Sequence, residues 1–191
     1  MPLEAERFRV TFTHARGGAT GLTEFEAWSD DRPPFKAAPA PAGNLALNEK
    51  GRGYPKASAS YTSRFDKVEM VNDGVIFLRP TPHNRWTSYE SPNATDWLEI
   101  DFGEKKEVGR VELYIYDDGG GVQAPEKYAV QHWDGKEWQD VPGQKKSPEA
   151  PAGGMRNSVT FPPVSTSKVR VVFTHKGKAR SGLSEIEMWP K

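Results

Sequence analysis

Lys168 to Trp189 reads KVRVVFTHKGKARSGLSEIEMW. Val169, Val171 and Phe173 alternate with Arg170, Val172 and Thr174, the period of two that sends successive side chains to opposite faces of a strand. His175 to Gly182 is too rich in glycine and lysine to continue the pattern, which resumes where Ile186 and Met188 alternate with Glu185, Glu187 and Trp189. The unit is strand, exposed loop, strand, each strand packing one face on a core. Arg7 to Trp28 (RFRVTFTHARGGATGLTEFEAW) repeats the unit at a constant offset of 161, with ten of twenty-two residues identical. Self-similarity at a fixed spacing marks a repeated structural unit. The first copy, with Phe8, Val10 and Phe12 on one face, is expected to form the same half-buried strand.

The same period runs through the middle of the chain. Trp97 to Phe102 places Leu98, Ile100 and Phe102 on one face, Arg110 to Tyr116 places Val111, Leu113 and Ile115, and Lys127 to Trp133 places Tyr128, Val130 and His132. Shorter strands are expected over Glu137 to Val141 and Ser158 to Phe161, with Gly103 ending the strand before it. Asp134-Gly135 has the composition of a tight hairpin connector. No apolar stripe of helical period extends beyond about two turns. Short strands broken by turn signals predict an all-β sandwich or barrel. Ser29 to Gly43 (SDDRPPFKAAPAPAG) cannot join a sheet ladder, because proline lacks the donor, and reads as a semi-extended linker. The chain thus divides into a strand pair over residues 1–31, a Pro/Ala linker over 32–43 and one module over 44–191. Two strands cannot bury a core alone, so the first copy reads as the remnant of an upstream module. Because it matches the final hairpin, it would also be able to take that hairpin's place in another copy, giving a strand-swapped oligomer.

Composition narrows the function. Lys plus Arg and Asp plus Glu number 26 each, which gives no overall pull toward nucleic acid or an anionic surface. There is no cysteine, hence no disulfide, thiolate nucleophile or cysteine-held metal. No apolar stretch approaches the ~20 residues of a membrane span, and Met1-Pro2-Leu3-Glu4 is unlike a signal peptide. A glycosidase needs two carboxylates about 5 to 10 Å apart across a cleft, whereas Asp117 and Asp118 are adjacent and would point to opposite faces of a strand.

From Asn44 onward the motifs come in a distinctive order: Asn44-Leu45-Ala46-Leu47, Ala57-Ser58-Ala59-Ser60, Asn72-Asp73-Gly74 and Asn84-Arg85-Trp86-Thr87-Ser88. They continue with Asp96 to Gly103 (DWLEIDFG), Trp133 to Trp138 (WDGKEW) and Ser184 to Trp189 (SEIEMW). In order and spacing this resembles the discoidin-like, or coagulation factor V/VIII C-type, domain in the form used as a carbohydrate-binding module by bacterial glycoside hydrolases. The resemblance implies an eight-stranded jelly-roll β-sandwich, no catalysis, ligand binding in loops at one end, and a structural calcium ion in many members.

Carried onto matching positions, the resemblance implies calcium ligands from the side chains of Asp73 and Glu185, with carbonyls from neighbours such as Asn72 and Ser184. Calcium takes six to eight oxygens, typically a carboxylate or two plus carbonyls of a tight loop. The chain departs from the family where it inserts Val75 to Asn84 between Asp-Gly and Arg-Trp, so an Asx turn at Asp73 and a solvated Glu185 stand as the alternative. A sugar site pairs an aromatic face with charged or amide groups. Three loops offer these: Arg52 and Tyr54 in the first, His83, Asn84, Arg85 and Tyr89 in the second, Asp117, Asp118 and Gln123 in the third. The third loop lacks the Arg and Asn of galactose-binding relatives. Trp86 and Trp97 are expected to pack in the core, with a partner for each indole N–H.

The functional expectation is a non-catalytic module that holds the catalytic domain of a secreted bacterial glycan-degrading enzyme near its carbohydrate ligand. One alternative is a cell-surface domain that binds protein or lipid, for which Ile76-Phe77-Leu78 would be the apolar tip. Another is an accessory sandwich packed on a glycoside hydrolase catalytic domain.

Overall fold

One strand organises the molecule. Strand β3, Thr95–Ile115, alternates buried and open positions from Asp96 to Phe102, passes an irregularity between Asp101 and Lys106, and returns with Val111, Leu113 and Ile115 fully buried. Gly103 does not end the strand as expected. Its φ of +75° turns the backbone within the strand, and its amide donates to Asp101 Oδ1 at 2.9 Å. Positive φ carries no steric cost in glycine, so the residue acts here as a corner.

In this computed structural model the described residues are 9–14, 16–20 and 42–190, within two units, Met1–Lys36 and Ala37–Lys191. In the second unit β1 (Lys56–Ala59) and a 3-10 turn (Val68–Val71) precede β2 (Trp86–Thr87) and β3. After them come β4 (Lys127–Trp133), β5 (Trp138–Asp140), β6 (Lys145–Ser147), β7 (Met155–Thr174) and β8 (Gly182–Trp189). The two segments expected at 158–161 and 168–174 are one strand, β7, which folds over opposite β3.

The register makes the sandwich. Residues 95–101 of β3 pair with 168–174 of β7, flanked by β1 on one side and by β4 and β5 on the other. Residues 106–115 of β3 pair with 155–166 of β7, flanked by β8 and β2 on one side and by β6 on the other. All pairings between the strands are antiparallel, so one eight-stranded ladder folds into two layers, the expected all-β jelly-roll sandwich. Between the layers lie Leu98, Ile100, Val111, Leu113, Ile115, Val130, Val169, Val171, Phe173, Ile186 and Met188. Each such side chain contributes about 1.5–3 kcal/mol when fully buried. Trp86 joins the core with no exposed surface, and its indole N–H donates to the Tyr61 carbonyl at 3.0 Å. Trp97 does not join the core as expected, because the alternation of β3 turns it to the opposite face, where it is half-buried.

In the first unit, residues 9–14 form no strand, and Val10 and Phe12 are 48% and 42% exposed. This corrects the expected half-buried strand. The equivalents Val171 and Phe173 are covered by their sheet and by the facing layer, and among the described residues nothing plays that part for Val10 and Phe12. Residues 16–20 hold a turn and no strand, and the remainder of the first copy and most of the linker lie outside the described residues.

Candidate functional site

Because β3 folds back on itself, its two ends, Thr95 and Ile115, lie at the same end of the sandwich, and Gly103 lies at the other. Loops 60–66, 88–94, 116–125 and 175–181 gather at the first end. Backbone bonds stitch them together: Ser88 donates to Ser181 at 2.9 Å, Gln123 donates to Arg180 at 2.9 Å, and Tyr116 donates to Gly182 at 3.0 Å. Beneath them sits a buried polar cluster. His175 Nε2 lies 2.9 Å from Asp96 Oδ2, and its Nδ1 lies 3.0 Å from Ser181 Oγ. An ionised carboxylate only accepts, so Nε2 carries the proton. Asp96 Oδ1 accepts from Ser60 at 2.7 Å and from Asn93 at 2.9 Å. Burial opposes ionisation of Asp96, but hydrogen bonds from Ser91, Asn93, Ser60 and His175 together hold its pKa below the ordinary value. Ser181 and Asp96 have no exposed surface, so the cluster pins strand to loop and faces no ligand.

Above it opens a cleft of about 200 Å³ lined by Phe65, Asp66, Arg85, Tyr89, Tyr116 and Asp118, among others. The Tyr89 and Phe65 rings stand 6.4 Å apart on one wall. Tyr89 can lie there because Gly121 has no side chain: a Cβ would come within 2.5 Å of the ring. On the other wall the Arg85 guanidinium sits 4.4 Å above the Tyr116 ring, and Arg85 Nη1 donates to the Pro80 carbonyl at 3.1 Å. Burial raises the pKa of the Tyr116 hydroxyl, which stays protonated at neutral pH.

The floor is Asp66, with 3% of its side chain exposed. Thr87 donates its hydroxyl to Asp66 Oδ2. Oδ1 is ion-paired, with His83 Nε2 at 2.8 Å and Arg85 Nε at 3.6 Å. Arg85 Nε is buried at ion-pair distance from Asp66 and makes no direct hydrogen bond. An ion-paired carboxylate and guanidinium beside two aromatic rings make a cleft suited to a polyhydroxylated ligand.

The candidate residues do not form one site. Arg85, Tyr89 and Asp118 line the cleft, and His83 reaches it through Asp66. The third loop uses its polar groups on itself: Asp117 accepts from Gly119 at 2.8 Å and Ala124 at 3.0 Å, and Asp118 Oδ1 accepts from Gly120 at 2.8 Å and Val122 at 3.0 Å. Gln123 donates to the Gly120 carbonyl at 3.0 Å. Asn84 turns away and donates to Asp73 Oδ1 at 3.2 Å and to the Val75 carbonyl at 3.0 Å. Arg52 and Tyr54 are at the far end, since Tyr54 packs on Gly103. The three loops therefore do not converge, and the first belongs to a different surface. Sequence reasoning passed over Phe65, Asp66, Thr87 and Tyr116. Only Phe65-Asp66, an aromatic beside an acid in a turn, carried a signal.

At the Asp-Gly loop, Glu185 is fully buried, which removes the solvated alternative. Its Oε1 accepts from Gly74 at 3.2 Å, and its Oε2 has no partner. Asp73 Oδ1 accepts from Val75 at 2.9 Å, so the Asx turn is present. Burial raises the pKa of both carboxyls, and the Asp73 charge raises Glu185 further. Two like-charged carboxylates with a buried orphan oxygen fit a divalent cation. The Asn72 carbonyl already accepts from the Asn48 amide at 2.7 Å, and Ser184 Oγ accepts from Phe77. In the apolar run 76–78, Ile76 is exposed while Phe77 and Leu78 are half-buried. Among the described residues no helix is long and apolar enough to cross a membrane.

Comparison with known proteins matches residues 56–187 to the F5/8 type C domain. A solved chain of the Streptococcus pneumoniae beta-galactosidase BgaA is 23% identical, superposes with a TM-score of 0.72, and matches over 82% of this chain and 100% of its own. Chitosan-binding module 1 of a chitosanase/glucanase from Paenibacillus sp. IK-5 is 23% identical, with a TM-score of 0.53 over 76% of this chain and 98% of its own. The family 32 carbohydrate-binding module of C. perfringens NanJ, solved with galactose, is 16% identical, with a TM-score of 0.54 over 70% of this chain and 91% of its own. At these identities the likeness is one of fold.

Proposed function

This chain belongs to the F5/8 type C (discoidin) family, and from that premise we propose that its second unit is a non-catalytic carbohydrate-binding module whose ligand lies in the cleft between Tyr89 and Arg85. The observation that carries the reading is a cleft walled by the Tyr89 and Phe65 rings on one side and the Arg85 guanidinium on the other, with the Asp66 carboxylate at its floor. A pyranose has an apolar face to lay on Tyr89 or Phe65, and hydroxyls that donate to Asp66 and accept from Arg85. Hydrogen bonds to charged groups are the stronger kind, about 1.5–3 kcal/mol each. The fold shared with a chitosan-binding module and a galactose-bound module supports the ligand class.

The finer reading is that the module serves a secreted bacterial glycan-degrading enzyme, keeping its catalytic domain close to the polymer. Calcium would be held by Asp73 and Glu185 with loop carbonyls, neutralising two buried carboxylates and fixing the Asp-Gly loop. The first copy of the repeat would close an upstream module of the same kind.

A glycan array followed by titration of galactose and chitosan tests the cleft. Arg85→Ala should weaken binding about tenfold to a hundredfold, the loss of one charged hydrogen bond. Tyr89→Ala should do the same through the lost stacking face while melting like the parent, whereas Arg85→Ala, which leaves the buried Asp66 with one cation fewer, should also melt lower. Wild-type affinity in both variants sinks the assignment of this cleft.

A further inference from the structure

We infer that Tyr54 is the platform of a second glycan-binding site at the opposite end of the sandwich, so that one module grips a polysaccharide at two places; this rests on the carbohydrate-binding reading above. The Tyr54 side chain is 62% exposed although it is large and apolar in its body. It is also held in position. A Cβ on Gly103 would stand 2.6 Å from two carbons of the ring, so the Tyr54 ring lies face-down on bare backbone at the corner of β3. Glycine at that corner thereby serves two ends, the turn itself and the seat of the ring.

Clefts open on both sides of this residue. One, of about 310 Å³, is lined by Asn48, Lys56, Glu69 and Asn72 together with Tyr54, and another of about 520 Å³ by Leu45, Phe102, Glu104 and Lys106 together with Tyr54. In the smaller cleft Lys56 and Glu69 form no salt bridge among the described residues, which leaves an ammonium and a carboxylate free beside an aromatic face. That is the combination a sugar needs: a flat apolar surface for one face of the ring and charged groups for its hydroxyls. Six residues of β3 separate Asp101 from Thr95, so this surface is roughly 20 Å from the first cleft and cannot be an extension of it. A second contact on one polymer raises apparent affinity by effective concentration without improving either site for a single sugar.

The test is affinity electrophoresis through gels containing soluble chitosan, beside titration with galactose and with a chitosan trimer, for the parent, Tyr54→Ala, Tyr54→Phe, Lys56→Ala and Tyr89→Ala. Tyr54→Ala and Lys56→Ala should lower affinity for the polymer by roughly tenfold, a modest share of the avidity that linked sites supply, while affinity for the short ligand at the Tyr89 cleft stays at the parent value. Tyr54→Phe, which keeps the ring, should behave as the parent. Parent-like retardation of both Tyr54→Ala and Lys56→Ala overturns the second site and leaves the first standing. If the parent itself binds neither polymer nor short ligand on the array or in the gel, the carbohydrate reading falls, and the second site with it. Lys56 is an exposed residue of β1, so its variant keeps the test decisive even if Tyr54→Ala unfolds.

Discussion

Asp96 keeps its ionised state against burial, through hydroxyl, amide and imidazole donors gathered from loops 60–63, 91–93 and 175. Because its folded pKa is lowered, its contribution to stability is fully present above its unfolded value near 3.8 and is lost as pH falls through the folded pKa. Asp96→Asn should therefore lower the melting temperature at neutral pH, and its difference from the parent should shrink below about pH 3.8; a gap independent of pH would contradict this account. Gly182 is a second residue where space decides. A Cβ there would meet Thr87 Cγ2 and Val122 Cγ1 at 2.9 Å, between β2 and the third loop. Gly182→Ala should cost about 1–3 kcal/mol by overpacking, visible as a lower melting temperature together with weaker glycan binding. Glu185 is the third. Added calcium should raise the melting temperature of the parent by mass action, and Glu185→Gln should abolish the response to both calcium and chelator.

At the scale of elements, period-two alternation located the strands well. Strand β4 runs from Lys127 to Trp133 as its pattern predicts, and the alternating apolar residues of β3, Leu98, Ile100, Phe102, Val111, Leu113 and Ile115, are all buried. What alternation could not carry was continuity. Gly103 has the composition of a strand end, yet register with β7 on both sides of it keeps the ladder going, and the consequence is an inverted map of the loops. Tyr54 and Tyr89 look alike in sequence, each an aromatic in a polar loop, but the corner at Gly103 sends them to opposite ends. Asp66 was illegible for a related reason. Its environment is created by β2 pairing with β8, which brings Thr87 and Arg85 beside a turn twenty residues earlier. Arg85 and Tyr89 could be read as binding groups because their chemistry is conspicuous wherever they stand. Asp117 and Gln123 were equally conspicuous, and the glycine-rich loop they sit in consumes their polar atoms.

For the whole molecule, the second unit holds its own core and both candidate clefts. Residues 37–191 expressed alone should melt cooperatively at the temperature of the full chain, and a large drop would show that the first unit supports it. The repeat also acquires a meaning from the pairing scheme, since its second copy spans the end of β7, the 175–181 loop and β8, one strand in each layer. The short-range contact of that loop recurs in the first copy, where His14 Nδ1 lies 3.0 Å from Thr20 Oγ1, as His175 Nδ1 lies 3.0 Å from Ser181 Oγ. Strand β3, central to both layers, pairs Thr95 with Thr174 and Arg110 with Trp189. During synthesis it leaves the ribosome long before either partner exists, and loop-closure entropy makes such distant pairing slow even in the finished chain. Through that interval the nascent polypeptide already contains residues 7–28, a near copy of the missing strands. Refolding of the full chain should accordingly be slower than that of 37–191, as β3 samples the early look-alike before its lasting neighbour arrives.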